Sequence, residues 1–371
     1  MVFQLKLKYH CYFYAMNYFR YLLYPFALLY GLAVFIRHWM FDLGIFPSKS
    51  YPIPIIGVGN ITVGGTGKTP MVEYIIRLLA DNYKIATLSR GYGRKTTGYF
   101  VADQYSSSKE IGDEPLMFFQ KFKNNVTVAV DENRREGIEN LMQDNAGLEV
   151  VILDDSFQHR YVKPGINILL TDYYNLYPTD HLLPVGRLRD LKRAAAKADI
   201  IIVTKTDSVM SPILSRGIER MIKPLPHQQL FFSYLKYGKP IPAHGLELPE
   251  IKKVLPSIVV LFTGIANPWP LQDYLISRCR ELINLDFPDH HDFKSRDIDA
   301  IIKTFEEQFT RNKILLTTEK DMMRLLKSPY FSRFKNLPLY YIPIEVRMHK
   351  PGNVLFDNKI LDYVRENKRV R

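Results

Sequence analysis

A lysine and a threonine stand side by side at the end of a glycine-rich stretch, Gly64-Gly65-Thr66-Gly67-Lys68-Thr69, shortly after the apolar run Ile55-Ile56-Gly57-Val58. An ammonium, a hydroxyl and uncrowded backbone N–H groups are what a polyphosphate needs. Glycines let successive N–H groups point at one anion, and the start of a following helix adds positive potential. Apolar residues at 71, 72, 75, 76, 78 and 79 supply that helix. The candidate nucleotide-binding residues are therefore Thr62, Val63, Gly64, Gly65, Thr66, Gly67, Lys68 and Thr69. The general phosphate-loop pattern has glycine where this chain has Thr62, so the match is partial.

A nucleotide enzyme also needs hard oxygen ligands for Mg²⁺ between the β- and γ-phosphates. The apolar strand at 150–153 ends in Asp154 and Asp155, which with Thr69 form the candidate metal set. His159, four residues further on, is either a ligand-orienting group or an exposed loop histidine. Gly112-Asp113-Glu114-Pro115 precedes a helical pattern and carries two readings. Asp113 or its neighbour is a helix N-cap with Pro115 in the first turn, or Asp113 is a general base that takes a hydroxyl proton during phosphate transfer. In Asp289-His290-His291-Asp292 the adjacent histidines point to opposite sides of an extended chain and no cysteine joins them, which speaks against a zinc cage. A histidine of this motif reaching across the interdomain cleft toward Asp113, to orient that base and tune it, is the sharper reading. Thr318 and Asp321 fit a capping arrangement or part of a cleft wall.

The elements that must hold these groups alternate. Strands are expected at 55–58, 84–88, 126–130, 150–153, 166–171 and 200–204, with helices at 114–122 and 133–142. Continuous apolar strands separated by helices imply a parallel sheet covered on both faces, with ligands at the carboxyl ends of the strands. Residues 231–237 read as an extended connector. A second α/β unit follows, with strands at 258–262 and 313–317 and helices at 271–282 and 321–326. The expected organisation is an N-terminal membrane-associated segment over 1–46, a phosphate-loop domain over 47–230, a linker over 231–245, and a smaller α/β domain over 246–371 closing over the cleft.

Residues 21–36 carry no charge and are bracketed by Arg20 and Arg37. As a helix they span about 24 Å, short of a roughly 30 Å hydrocarbon core. Tyr18, Phe19, Tyr21, Tyr24, Tyr30 and Trp39 are the aromatic types found at membrane surfaces. The alternatives are a helix inserted in one leaflet, one spanning with strain, or a buried core helix. Met16 is an alternative start. The 371 residues carry a net charge of +12, which calls for an anionic partner without choosing among nucleic acid, phospholipid and phosphorylated substrate. The two cysteines, Cys11 and Cys279, exclude a disulfide framework and argue for a reducing compartment. No RNA-binding aromatic motif is present, so no nucleic-acid partner is expected.

One competitor is a switch NTPase. Thr204-Lys205-Thr206-Asp207, after an apolar strand, looks like the base-reading element of GTPases. Against it, Asp154-Asp155-Ser156-Phe157 lacks the glycine a GTPase shows after its second acidic strand, and Val63 stands where partition ATPases carry an additional lysine.

Taken together, the loop at 62–69, Ser89-Arg90-Gly91-Tyr92-Gly93-Arg94, Gly112-Asp113-Glu114-Pro115, Asp154-Asp155-Ser156-Phe157-Gln158-His159, Leu183-Pro184-Val185-Gly186-Arg187-Leu188-Arg189, Asp289-His290 and Thr318-Glu319-Lys320-Asp321 resemble the tetraacyldisaccharide 4′-kinase family. They stand in family order across residues 16–325, and the apolar N-terminal helix and Thr62 also match. Ser156 for glycine and Arg187 for proline are departures that bear on loop geometry. The resemblance implies transfer of the ATP γ-phosphate, with Mg²⁺, to an acylated glucosamine disaccharide 1-phosphate at the cytoplasmic face of the bacterial inner membrane. A membrane-attached ATPase or GTPase acting as a regulatory or partitioning switch is the alternative. In the kinase reading Lys68, Asp113 and His290 are catalytic, and Arg90, Arg94, Arg134, Glu114 and His159 are candidates for substrate contacts.

Overall fold

A computed structural model describes residues 2–243, 248, 249, 251, 256–289, 291–326 and 328–367, with side chains from Leu22 onward apart from Asn124. The chain forms two compact units. One comprises Met1–Lys68, Glu149–Ser233 and Met348–Arg371; the other comprises Thr69–Leu148 and Tyr234–Arg347.

In the first unit, parallel strands lie in the order Val150–Asp154, Ile55–Gly59, Ile166–Asp172, Ile200–Thr204 and the first half of Gln229–Tyr237. The strands at 55–59, 150–154 and 200–204 are buried along their whole length, as continuous apolar runs in a parallel sheet should be. Ile55–Gly59 lies inside this run of strands and ends at the phosphate loop. Two glycines let it approach its neighbour: a Cβ on Gly57 would lie 2.7 Å from Ser156 Oγ, and one on Gly59 2.9 Å from the backbone N of Phe157. The helix Pro212–Ile222 opens with Ser211 as N-cap, accepting from Leu214 N–H, and buries Ile218 and Ile222 against Ile201 and Val203. The C-terminal helix Gly352–Asn367 returns to the start of the central strand, where Ile55 N–H donates to Tyr363 Oη at 3.0 Å.

The N-terminal helix runs Val2–Asp42, well beyond the uncharged residues 21–36. It continues through Arg37 and His38 because both find partners on the body: Arg37 donates to Gln158 O at 2.5 Å, and His38 is buried against Asp190. Phe41 packs edge-on to Tyr161 at 4.9 Å, beneath the Arg160 guanidinium.

In the second unit, Ile85–Ser89 and Val126–Val130 are parallel, with Phe100–Val101 antiparallel along the latter. A separate five-stranded sheet has the order Glu281–Asp286, Ile258–Thr263, Lys313–Thr318, Leu339–Ile342, Ile241–Pro242, its last pair antiparallel. Met117, from the helix Asp113–Phe122, belongs to the same apolar core as Val260, Phe262 and Met323. The helix expected over 271–282 is shorter, Trp269–Ile276, and a strand follows at Glu281–Asp286. Arg278 N–H closes back onto Leu275 O at 2.8 Å, and the segment beyond pairs with Ile258–Thr263, a neighbour no local periodicity reveals.

Candidate functional site

The phosphate loop is braced from two directions. Thr62 forms an antiparallel bridge with Leu188, Val63 N–H donates to Arg187 O at 2.7 Å, and Arg189 N–H donates to Ile61 O at 2.9 Å. Position 62 is thus a ladder position that accepts a side chain, which explains why threonine serves where the general pattern has glycine. The positive φ values fall later, at Gly64 (99°) and Gly67 (85°). From the end of Ile200–Thr204, two strands along the sheet, Thr204 Oγ1 donates to Thr66 O at 2.8 Å. Lys205, itself at φ 59°, donates to Gly65 O and pairs with Asp172 at 2.8 Å.

Five polar side chains, Asn60, Thr66, Lys68, Asp155 and Arg189, meet at this loop. Asn60 donates to Thr66 Oγ1 at 2.7 Å, and its Oδ1 accepts from Lys68 Nζ at 3.4 Å and from Arg189. Lys68 Nζ is 3.6 Å from Asp155 Oδ1. The Arg189 guanidinium takes both oxygens of Asp155, one of them at 3.0 Å. Burial alone would raise the Asp155 pKa. The charges of Lys68 and Arg189, with His159 adding to them, outweigh it and hold the carboxyl below its ordinary value. Asp155 reaches this position through a left-handed backbone, φ 51°, at the turn after its strand. Asp154, its neighbour, is buried within the strand and in register with Val58. Oxygen donors from Thr69, Asp154 and Asp155 are the hard set that suits Mg²⁺, which takes much of its shell from phosphate and water. The motif resemblance gave Arg189 no role, and Asn60 drew no attention; the arginine two residues after Arg187 was the available signal.

The second unit carries Asp113. The N-cap of its helix is Gly112, at φ 91° with no side-chain cap, and Asp113 is the first helical residue. The capping reading of Asp113 therefore gives way to a different contact: Oδ2 accepts from Arg324 Nε at 2.9 Å and lies 2.8 Å from Arg324 Nη2. Arg324 is itself fixed, donating to Gly264 O at 3.2 Å and to Asp321 Oδ1 at 3.3 Å. Asp321 is fully buried and accepts from Gly264 N–H and Thr318 Oγ1; burial pushes its pKa up despite these donors. The Thr318–Asp321 capping pair is thus the foundation on which Arg324 stands. Arg324 follows Asp321 by one helical turn on the same face, the one hint the sequence offered.

Around Asp113, Lys320 lies 3.8 Å from both Glu114 and Asp289. His290 lies outside the described residues. His291 faces Asp297 at 2.8 Å and stacks on Phe287. Of the three candidate arginines, Arg90 is exposed at the end of its strand. Arg94 is bound to Glu132 and Gly98 O, and Arg134 is buried and donates to Asp131 O. His159 is half-buried, its backbone N–H closing a turn onto Ser156 O at 2.8 Å.

A family model described as tetraacyldisaccharide-1-P 4′-kinase matches residues 19–364. The chain belongs to this kinase family. A tetraacyldisaccharide 4′-kinase of Parabacteroides distasonis is 46% identical, over 92% of this chain and 94% of its own length. One from Phocaeicola vulgatus is 44% identical over 94% and 96%. Among solved structures, the Aquifex aeolicus protein crystallised with ATP superposes with a TM-score of 0.69 at 26% identity, covering 93% of this chain and 99% of its own. The switch NTPase alternative is not favoured by this membership. The two departures from the family pattern have local accommodations. Ser156 is buried with its Oγ 3.4 Å from Val58 O, in space left by Gly57. Arg187 uses an N–H that proline lacks, donating to Asp180 Oδ1 at 3.1 Å.

Proposed function

We propose that this chain transfers the γ-phosphate of ATP to the 4′-hydroxyl of a tetraacyldisaccharide 1-phosphate, giving lipid IVA, at the cytoplasmic face of the bacterial inner membrane. The observation that carries the reading is the charge arrangement at the phosphate loop. Lys68 sits between Asn60 and Asp155, and Arg189 takes the same carboxylate from the other side. Backbone N–H groups of residues 64–68 cradle the β- and γ-phosphates, and Lys68 neutralises charge that builds on the γ-phosphoryl oxygens. Because Asp155 is committed to Lys68 and Arg189, Thr69 and Asp154 are the residues assigned to hold Mg²⁺. The bound cation would supply Lewis-acid charge at the bridging phosphates.

Asp113 accepts the proton of the sugar hydroxyl. Arg324 fixes its carboxylate in one orientation, which is what a base acting on a single hydroxyl requires. The Asp289-His290 motif supports His290 as the group that assists Asp113. Arg90, with Glu114 and His159, is assigned to the polar part of the acceptor, whereas Arg94 and Arg134 brace the loops beside it. The apolar face of the N-terminal helix, with Leu22, Phe26, Leu28 and Leu29 all more than 60% exposed, lies against the lipid from which the acceptor cannot cheaply leave.

The test is to incubate the full chain with γ-labelled ATP, with and without acceptor in mixed micelles. Label should enter the lipid phase only when acceptor and Mg²⁺ are both present, and EDTA should abolish it. Label appearing solely as inorganic phosphate, indifferent to acceptor, would contradict the reading and favour a hydrolytic switch.

A further inference from the structure

The helix Val2–Asp42 has a second face. Opposite its exposed stripe it buries Ala27, His38 and Phe41, and a Cβ on Gly31 would lie only 2.8 Å from Leu182 Cδ1. Two polar side chains on this docked face reach consecutive residues of one loop. Tyr30 Oη donates to Arg189 O at 2.8 Å. His38 Nε2 meets Asp190 Oδ1 at 2.5 Å, with both side chains at most 5% exposed. His38 Nδ1 faces two donors, Arg160 Nη1 at 3.1 Å and Lys197 Nζ at 3.0 Å. Nδ1 is therefore the acceptor, and the ring proton on Nε2 is donated to Asp190.

The far side of the same loop touches the phosphate site. The Arg189 guanidinium binds Asp155 and Asn60, which in turn contact Lys68, and Arg189 N–H donates to Ile61 O. A helix that only anchored the chain could pack an apolar residue at each docked position. A half-buried tyrosine hydroxyl and a buried imidazole need partners, and here one partner is the carbonyl of the arginine that sets the loop and the other is the next residue along.

We propose that Tyr30 and His38 are positioning residues for the phosphate-donor site, through which the membrane-facing helix fixes Arg189 and, by way of Asp155 and Asn60, Lys68. The inference rests on reading the loop as the ATP site. It makes nucleotide affinity a property of the docked helix, while acceptor access belongs to the exposed stripe.

The full chain in mixed micelles tests this, with ATP Kd measured by titration calorimetry without acceptor, KM measured for both substrates, and thermal midpoints recorded. Tyr30→Phe and His38→Ala should raise ATP Kd roughly 3- to 30-fold, the loss of one hydrogen bond each, while acceptor KM stays within about twofold. His38→Gln keeps an N–H for Asp190 and should restore ATP affinity. Leu28→Ser, on the exposed stripe, should raise acceptor KM and leave ATP Kd unchanged. Unchanged ATP Kd in both Tyr30→Phe and His38→Ala would overturn the proposal. So would a loss that His38→Gln fails to rescue and that tracks a lowered thermal midpoint. Wild-type protein that binds ATP but phosphorylates no lipid would sink the kinase reading, and the Kd comparison would still decide this one.

Discussion

At the scale of single residues, the proposed acceptor chemistry turns on how Asp113 is held. A carboxylate at the first position of a helix is usually explained by capping, but here the capping position is Gly112 and Arg324 takes the side chain with two N–H groups. Asp113→Asn keeps the shape and removes the basic oxygen. It should lower kcat by about 10²- to 10⁴-fold while ATP KM changes little, because the base acts on the acceptor in the transition state. Arg324→Met should lower kcat in the same direction by a smaller factor. Arg324→Lys should recover only part of the loss, since a lysine offers a point charge without the two-pronged geometry. Steady-state kinetics in mixed micelles checks all three. A rise in ATP KM matching the fall in kcat would remove Asp113 from the base role. The contact joins residues 211 positions apart in the chain. The motif containing Asp113 is local and legible, whereas its partner is set by the packing of two distant helices.

At the scale of elements, the joint between the N-terminal helix and the body gathers His38, Arg160, Asp190 and Lys197 in a small buried space. Burial, with Arg160 close by, pushes Lys197 down from the ordinary 10.5 to about 8, although Asp190 and Asp42 pull the other way. Between pH 8 and 10.5 the unfolded chain keeps a proton that the folded chain has released. This group's contribution to stability therefore rises with pH across that window and is flat below it. Thermal midpoints of wild type and Lys197→Met, compared at pH 7.5 and 9.5, should show wild type gaining on the variant at the higher pH. A gap that stays constant or moves the other way would show that the joint does not depress this lysine. Elements with a strong period of their own were legible. The strands expected at 126–130 and 200–204 stand at those residues, and the loop helix buries the expected Met71, Val72, Ile75, Ile76 and Leu79. The helix over 271–282 was overextended because the strand Glu281–Asp286 takes its identity from pairing with Ile258–Thr263. The docked face of the N-terminal helix was hidden for a similar reason: composition shows that residues 21–36 are apolar, not which side chains find polar partners.

At the scale of the whole molecule, the proposed donor site, built on Lys68, Asp155 and Arg189, belongs to the first unit, and the proposed acceptor base, built on Asp113 and Arg324, belongs to the second. The phosphate loop, the acidic strand end and the motif around Asp113 were legible because they are local constructions, whereas Arg189 and Arg324, which hold Asp155 and Asp113, are brought in by distant parts of the chain. That one motif set belongs to one kinase family follows from the match over residues 19–364. The net charge of +12 suits the proposed work on a phosphorylated substrate beside anionic lipid. The claim that binds these parts is regiochemical: one phosphate, from ATP, onto one hydroxyl of the disaccharide. Phosphorus–proton correlation NMR of the lipid product tests it directly. The expected product carries a second phosphomonoester whose phosphorus couples to the proton on carbon 4′, with the 1-phosphate signal unchanged. A product phosphorylated elsewhere, or a 1-phosphate extended to a diphosphate with no coupling at 4′, would contradict it.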